Sequence, residues 1–148
     1  MSEPAPSYRS RAFTTGSIIL VAFGAVHLLA VYKALFTEPR AESELLLKAA
    51  ALAHQDQLGP ITITAWDGMM ILNSSYSVLL LWIGATNLLV EGAVRRTGSI
   101  RRLALQNAAF AAVLTGIDLI WFFPPPLIFS VGALVAFLIA SRRGARTA

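Results

Sequence analysis

Two carboxylates stand in apolar surroundings where a charge is costly: Asp67, within AWDGMMIL, and Asp118, within LTGIDLIW. An aspartate at the centre of a spanning helix costs roughly 2.5–3.5 kcal/mol, so it normally has a partner or a function. A carboxylic acid held in an apolar pocket can serve as a general acid near neutral pH. With Asp67 and Asp118 as acid and base, His27 as relay or polarising group, and Asn73 or Tyr76 orienting a substrate, the set suits proton-transfer chemistry. Isomerisation or cyclisation of a lipid-like molecule fits these groups. Trp66, Ser77, Thr115 and Trp121 complete the candidate binding set. Serine hydrolysis fits poorly, because the chain has no G-x-S-x-G elbow.

Each of these residues also has a purely structural reading. Asp67 and Asp118 reach headgroups if they sit near the ends of their helices. Trp66 and Trp121 suit an aromatic belt. The Asn73-Ser74-Ser75 run suits hydrogen bonding between helices, and His27 suits a neutral imidazole bonded to a neighbouring helix. His54 with Asp56 resembles a metal-type pair, but a solvated loop explains it as well.

The elements that must position these groups are membrane spans. The chain has 148 residues, 56% of them hydrophobic and 14% charged. Its mean hydropathy is +0.66. A soluble domain carries nearer ~25% charge. With no cysteine, thiolate metal sites, Fe–S clusters and disulfides are excluded. The net charge of +4 does not point to nucleic acid, because the basic residues flank apolar runs.

Four apolar segments are expected to span, over about 16–36, 63–90, 103–123 and 126–140. A span needs about 20 residues, so the fourth is short. It draws its first turn from Pro124-Pro125-Pro126, since proline is tolerated at a helix start. Between the first two spans, residues 41–56 form an amphipathic segment. Leu45, Leu46, Ala49, Leu52 and Ala53 fall on one face of it, with Glu42, Glu44, Lys48 and Gln55 mostly on the other. The expected fold is therefore all-α: a single domain, 1–148, built as a four-helix, up-down-up-down transmembrane bundle with an outer amphipathic helix.

Basic residues set the direction. Arg9, Arg11, Arg95, Arg96, Arg101, Arg102, Arg142, Arg143 and Arg146 are nine of the 12 and lie on one side. Lys33, Arg40 and Lys48 lie on the other. The positive-inside rule then places both termini in the cytoplasm and the protein in the inner membrane. The first span lacks an A-x-A-like cleavage site and is expected to be retained. This topology puts His27, Asp67, Asn73 and Asp118 in the outer half of the bundle.

Trp66, followed seven residues later by Asn73-x-Ser75-Tyr76-Ser77, resembles a family of small, four-span bacterial membrane proteins of unassigned function. That family tends to have an aromatic end to span three, then proline and a short last span. Trp121-Phe122-Phe123-Pro124-Pro125-Pro126 fits this pattern. The resemblance covers about a third of the chain. It departs at Tyr76, where histidine is expected, and it implies an architecture without implying a reaction.

Two functions follow from the residues. One is an outward-side pocket for a hydrophobic small molecule or lipid, with or without proton transfer. The other is an accessory subunit of a larger membrane complex, its polar residues contacting a membrane-protein partner or a second copy in a homo-oligomer. Haem is not expected. His27 alone stands at membrane depth, and Met69 or Met70 would have to be the second ligand. No other cofactor or metal is implied. Small four-span drug exporters share the span count, but their transport uses an acidic residue in span one, which is absent here.

Overall fold

The computed structural model describes residues 8–37, 39–96, 100–120 and 124–142. Among these residues the elements run α1 (Tyr8–Phe36), α2 (Glu42–Ala53), β1 (Gln55–Leu58), β2 (Ile61–Thr64), α3 (Ala65–Arg96), α4 (Ile100–Ile120) and α5 (Pro124–Ser141). The fold is all-α apart from one short hairpin. α1, α3, α4 and α5 are each long and apolar enough to cross a membrane. The chain is a multi-pass membrane protein. At ~1.5 Å per residue the 18 residues of α5 rise about 27 Å, close to the ~30 Å hydrocarbon core. The 32 residues of α3 exceed it. α5 does begin on the three prolines, whose missing N–H groups would be unpaired in a first turn anyway.

Two compact units divide the chain. The first comprises residues up to Phe23 and from Leu80 onward. Lipid tails are as apolar as leucine, so burial of large apolar side chains does little to drive these helices together. Close approach through small residues does more. α4 accordingly buries Ala104, Asn107, Ala108, Ala111 and Leu114 along one face. α5 buries Ser130, Ala133, Ala136, Phe137 and Ala140, and these two helices pack on one another. α1 contributes Phe13, Ser17, Leu20 and Phe23, all at or near zero exposure. Phe13 meets Phe137 edge-on at 5.7 Å. Phe23 stacks on Phe129 at 5.2 Å. Many other large apolar side chains point outward, Leu89 at 85% exposure and Ile120 at 79%. That is the expected surface of a lipid-facing bundle.

Several polar groups in this unit are paired with one another or with a nearby carbonyl. The Ser17 hydroxyl donates to the Phe13 carbonyl at 2.9 Å, one turn back. The Thr14 hydroxyl donates to the Glu91 carboxylate, 2.9 and 2.8 Å from its two oxygens. The buried amides of Asn87 and Asn107 exchange hydrogen bonds of 2.9 and 3.3 Å between α3 and α4. Asn107 also donates to the Leu103 carbonyl at 2.8 Å. Interhelical hydrogen bonds of this kind are worth about 0.6–1.7 kcal/mol in a membrane. Asn87→Ala and Asn107→Ala should each destabilise by about 1 kcal/mol, and the double variant by little more than either single one. Titration of the three proteins with denaturing detergent measures this. Additive losses would show that the two amides do not act as a pair.

The second unit spans Gly24–Leu79. It holds the end of α1, α2, the hairpin and the start of α3. Its hairpin departs from expectation, since residue 63 reads as the start of a span and no strand is expected before it. Instead Gln55–Leu58 pairs antiparallel with Ile61–Thr64, with Leu58 opposite Ile61 and Gln55 opposite Thr64. Gly59 takes a φ of 60° at the first of two turn positions. That angle suits glycine and matches a II′ hairpin turn, with Pro60 following. The β-branched residues Ile61-Thr62-Ile63-Thr64 favour a strand. The Ala65 N–H donates to the His54 carbonyl at 2.9 Å and closes the hairpin base. The amphipathic helix is correspondingly shorter than 41–56, ending at Ala53.

Candidate ligand cavity

Within the second unit, the end of α1, the turn after it, α2 and the first turn of α3 border a half-open cavity of about 730 Å³. The spacing explains who lines it. Ala30, Lys33, Ala34 and Thr37 recur at i, i+3, i+4 and i+7, one face of the last turns of α1. Thr37 ends that helix, its N–H donating to the Lys33 carbonyl at 2.9 Å and its hydroxyl donating to the same oxygen. Pro39 and Arg40 carry the chain across to α2. Ala41, Glu44, Leu47 and Lys48 then present one face of α2 to the cavity, and Trp66 closes it from α3.

The lining is chemically mixed. Among the described residues, Lys33, Arg40 and Lys48 supply three cations against the single carboxylate of Glu44. The Lys48 ammonium lies 5.5 Å from the centre of the Trp66 ring, a cation–π contact worth about 0.5–1 kcal/mol at an exposed site. Ala30, Ala34 and Leu47 provide apolar wall. No residue of α2 is buried. Leu45, Leu46 and Leu52 stay exposed at 44%, 65% and 42%. α2 thus offers Glu44, Leu47 and Lys48 to the cavity while Leu45, Leu46 and Leu52 stay exposed, which suits an interfacial helix.

Of the residues with expected roles, Trp66 lines this cavity. Asp67 does another job. It is the third residue of α3, and its carboxylate accepts from the Thr64 N–H at 3.1 Å and the Thr64 hydroxyl at 2.6 Å. The Asp67 N–H donates back to Thr64 Oγ1 at 3.1 Å. This reciprocal capping box satisfies N-terminal donors of α3, a contribution of about 1 kcal/mol for such caps.

His27, Tyr76 and Ser77 come together. His27 Nδ1 lies 2.8 Å from Ser77 Oγ, and the imidazole meets the Tyr76 ring edge-on at 5.2 Å. Ser77 Oγ also donates to the Asn73 carbonyl at 2.8 Å, while the Asn73 amide donates to Met69 at 2.8 Å. Ser77 is fully buried. Its hydroxyl therefore links α1 to α3 and is closed to an incoming substrate.

Asp118 and Thr115 belong to the first unit. The Thr115 hydroxyl donates to the Ala111 carbonyl at 2.8 Å. Asp118 Oδ2 is buried and has no hydrogen-bond partner among the described residues. Trp121 lies outside the described residues. His54 and Asp56 approach to 3.7 Å but are 69% and 65% exposed. Among the described residues no cluster of His, Asp and Glu suits a metal ion.

Lys33, Arg40, Glu44 and Lys48 were not among the expected site residues; as a sequence pattern they mark orientation and a polar helix face. The signal was nonetheless present. Lys33 is one turn from Ala30 and Thr37, and Lys48 one turn from Glu44. Lys33, Arg40 and Lys48 fall in one stretch of 16 residues, 33–48. Comparison with known protein families, with curated proteins and with solved structures finds no match to this chain.

Proposed function

We propose that this membrane protein binds an amphiphilic small molecule or lipid in the cavity formed by α1, α2 and the start of α3. The observation that carries this reading is the cavity itself, about 730 Å³ with cations, a tryptophan and apolar wall on the same lining. Ligand pockets typically span about 300–1,000 Å³ and combine apolar surface with a few placed polar groups. Trp66 suits the membrane interface, where its amphipathic ring sits at headgroup level. The arginine asymmetry supports an inner-membrane protein with cytoplasmic termini, an up-down-up-down path and the cavity on the outer side. Binding is better supported than proton transfer, since the Asp67 carboxylate is engaged with Thr64.

Native mass spectrometry of the protein released from detergent tests this. The wild type should retain a lipid-sized mass. Ala34→Phe, which puts an aromatic ring into the cavity, should lower retention about tenfold, the effect of losing ~1.4 kcal/mol of binding. Equal retention by Ala34→Phe and wild type would defeat the proposal. A stoichiometric protein partner in place of a lipid-sized mass would favour the accessory-subunit reading.

A further inference from the structure

We infer that the ligand is an anionic amphiphile whose oxyanion, a phosphate or carboxylate, is held by Lys33, Arg40 and Lys48. This rests on the binding reading above and names the class of molecule bound. The three cations come from three places in the chain: the last turn of α1, the link to α2, and the middle of α2. All three line one cavity, and among the described residues Glu44 is the one carboxylate on its lining. Among the described residues Lys33 and Arg40 have no ion-pair partner. Like charges gathered around one space repel, and an oxyanion between them offsets that repulsion.

The three cations differ in what they offer. Arg40 carries a planar fork of donors that matches two oxygens of one phosphate or carboxylate. Lys33 acts as a point charge at the C-terminal end of α1, where the helix dipole favours a cation. Lys48 is steadied by the Trp66 ring. Glu44 lowers the charge of the three cations but leaves an excess of positive charge that an oxyanion offsets. The apolar wall of Ala34 and Leu47 takes the hydrocarbon part of the same molecule. An anionic head on an apolar tail meets all of these demands.

The full chain in micelles containing equal amounts of dioleoylphosphatidylglycerol and dioleoylphosphatidylcholine tests this by native mass spectrometry. The wild type should retain the anionic lipid in preference. Arg40→Gln, in the link between helices, should cut that preference about fivefold, and Lys33→Gln with Arg40→Gln further. Melting temperatures should match the wild type, and if the double variant melts early, Arg40→Gln alone decides. Excess inorganic phosphate gives the source of the anion. Loss of the anionic lipid to phosphate assigns a free oxyanion, and its survival assigns a lipid headgroup. Equal retention of both lipids, abolished by Ala34→Phe, overturns the anion inference and leaves the binding reading intact. Retention indifferent to Ala34→Phe and to both charge variants overturns both.

Discussion

Gly84→Leu should leave little folded protein, and Gly84→Ala should lower the unfolding free energy by about 1–3 kcal/mol, the usual cost of overpacking. The reason is which atoms stand opposite. A Cβ at position 84 would lie 2.7 Å from Val21 Cγ2, 2.8 Å from the Ser17 carbonyl oxygen and 2.9 Å from the Val21 nitrogen. Two of the three are backbone atoms of α1. They cannot rotate aside, so α1 and α3 must separate. Separation loses dispersion contacts that lipid does not restore with the same fit. Gly68 and Gly92 are the controls, since a Cβ at either meets nothing within 4 Å. Alanine there should leave stability unchanged or raise it by up to ~1 kcal/mol through lower backbone entropy. Thermal unfolding in detergent, followed by tryptophan fluorescence and gel filtration, measures the four variants against the wild type. A Gly84→Ala variant melting with the wild type would show that the helices are not this close.

What the sequence makes legible here follows from how strongly physics constrains each feature. A spanning helix must pair every backbone group internally and show apolar side chains outward, so four long apolar runs are visible without a structure. The three prolines before α5 are legible for the same reason, because a first helical turn is one of the few places that tolerates them. The hairpin was hidden by composition. Ile61-Thr62-Ile63-Thr64 is apolar enough to read as the start of a span, yet Gly59-Pro60 before it marks a turn and its residues are β-branched.

The site was legible only in part. Depth arguments put His27, Asp67, Asn73 and Asp118 in the outer half; of these, His27 meets Ser77, whose hydroxyl donates to the Asn73 carbonyl. Asp67 drew attention because a carboxylate in an apolar run is costly. Yet Thr64-x-x-Asp67 is also a capping pattern, and local hydrogen bonds to Thr64 account for the carboxylate. Lys33, Arg40 and Lys48 were invisible as a group, because whether a loop folds back so that three cations face one space depends on tertiary structure. Asn87, too, carried no signal until Asn107 stood beside it.

Phe137→Ala should destabilise the protein by about 3 kcal/mol, the lower end of the ~3–5 kcal/mol range for such truncations. The transfer contribution is small when the alternative surroundings are lipid, but the lost packing remains. Phe137 is fully buried, touching Phe13 edge-on at 5.7 Å. Its ring also fills the space left by Gly16. A Cβ at position 16 would lie 2.9 Å from Phe137 Cε1, 3.0 Å from Cζ and 3.1 Å from Cδ1. A side chain can usually give way at such distances, but this ring is enclosed and has Phe13 against it. Gly16→Ala alone should therefore destabilise by about 1–2 kcal/mol. With Phe137→Ala in place the obstacle is gone, and the added methyl occupies part of the vacated volume. The double variant should be no less stable than Phe137→Ala alone, giving a coupling of about 1–2 kcal/mol. Unfolding midpoints of the four proteins in one detergent close the cycle. Additive effects would mean that the ring moves aside freely and that glycine at position 16 is not required by it.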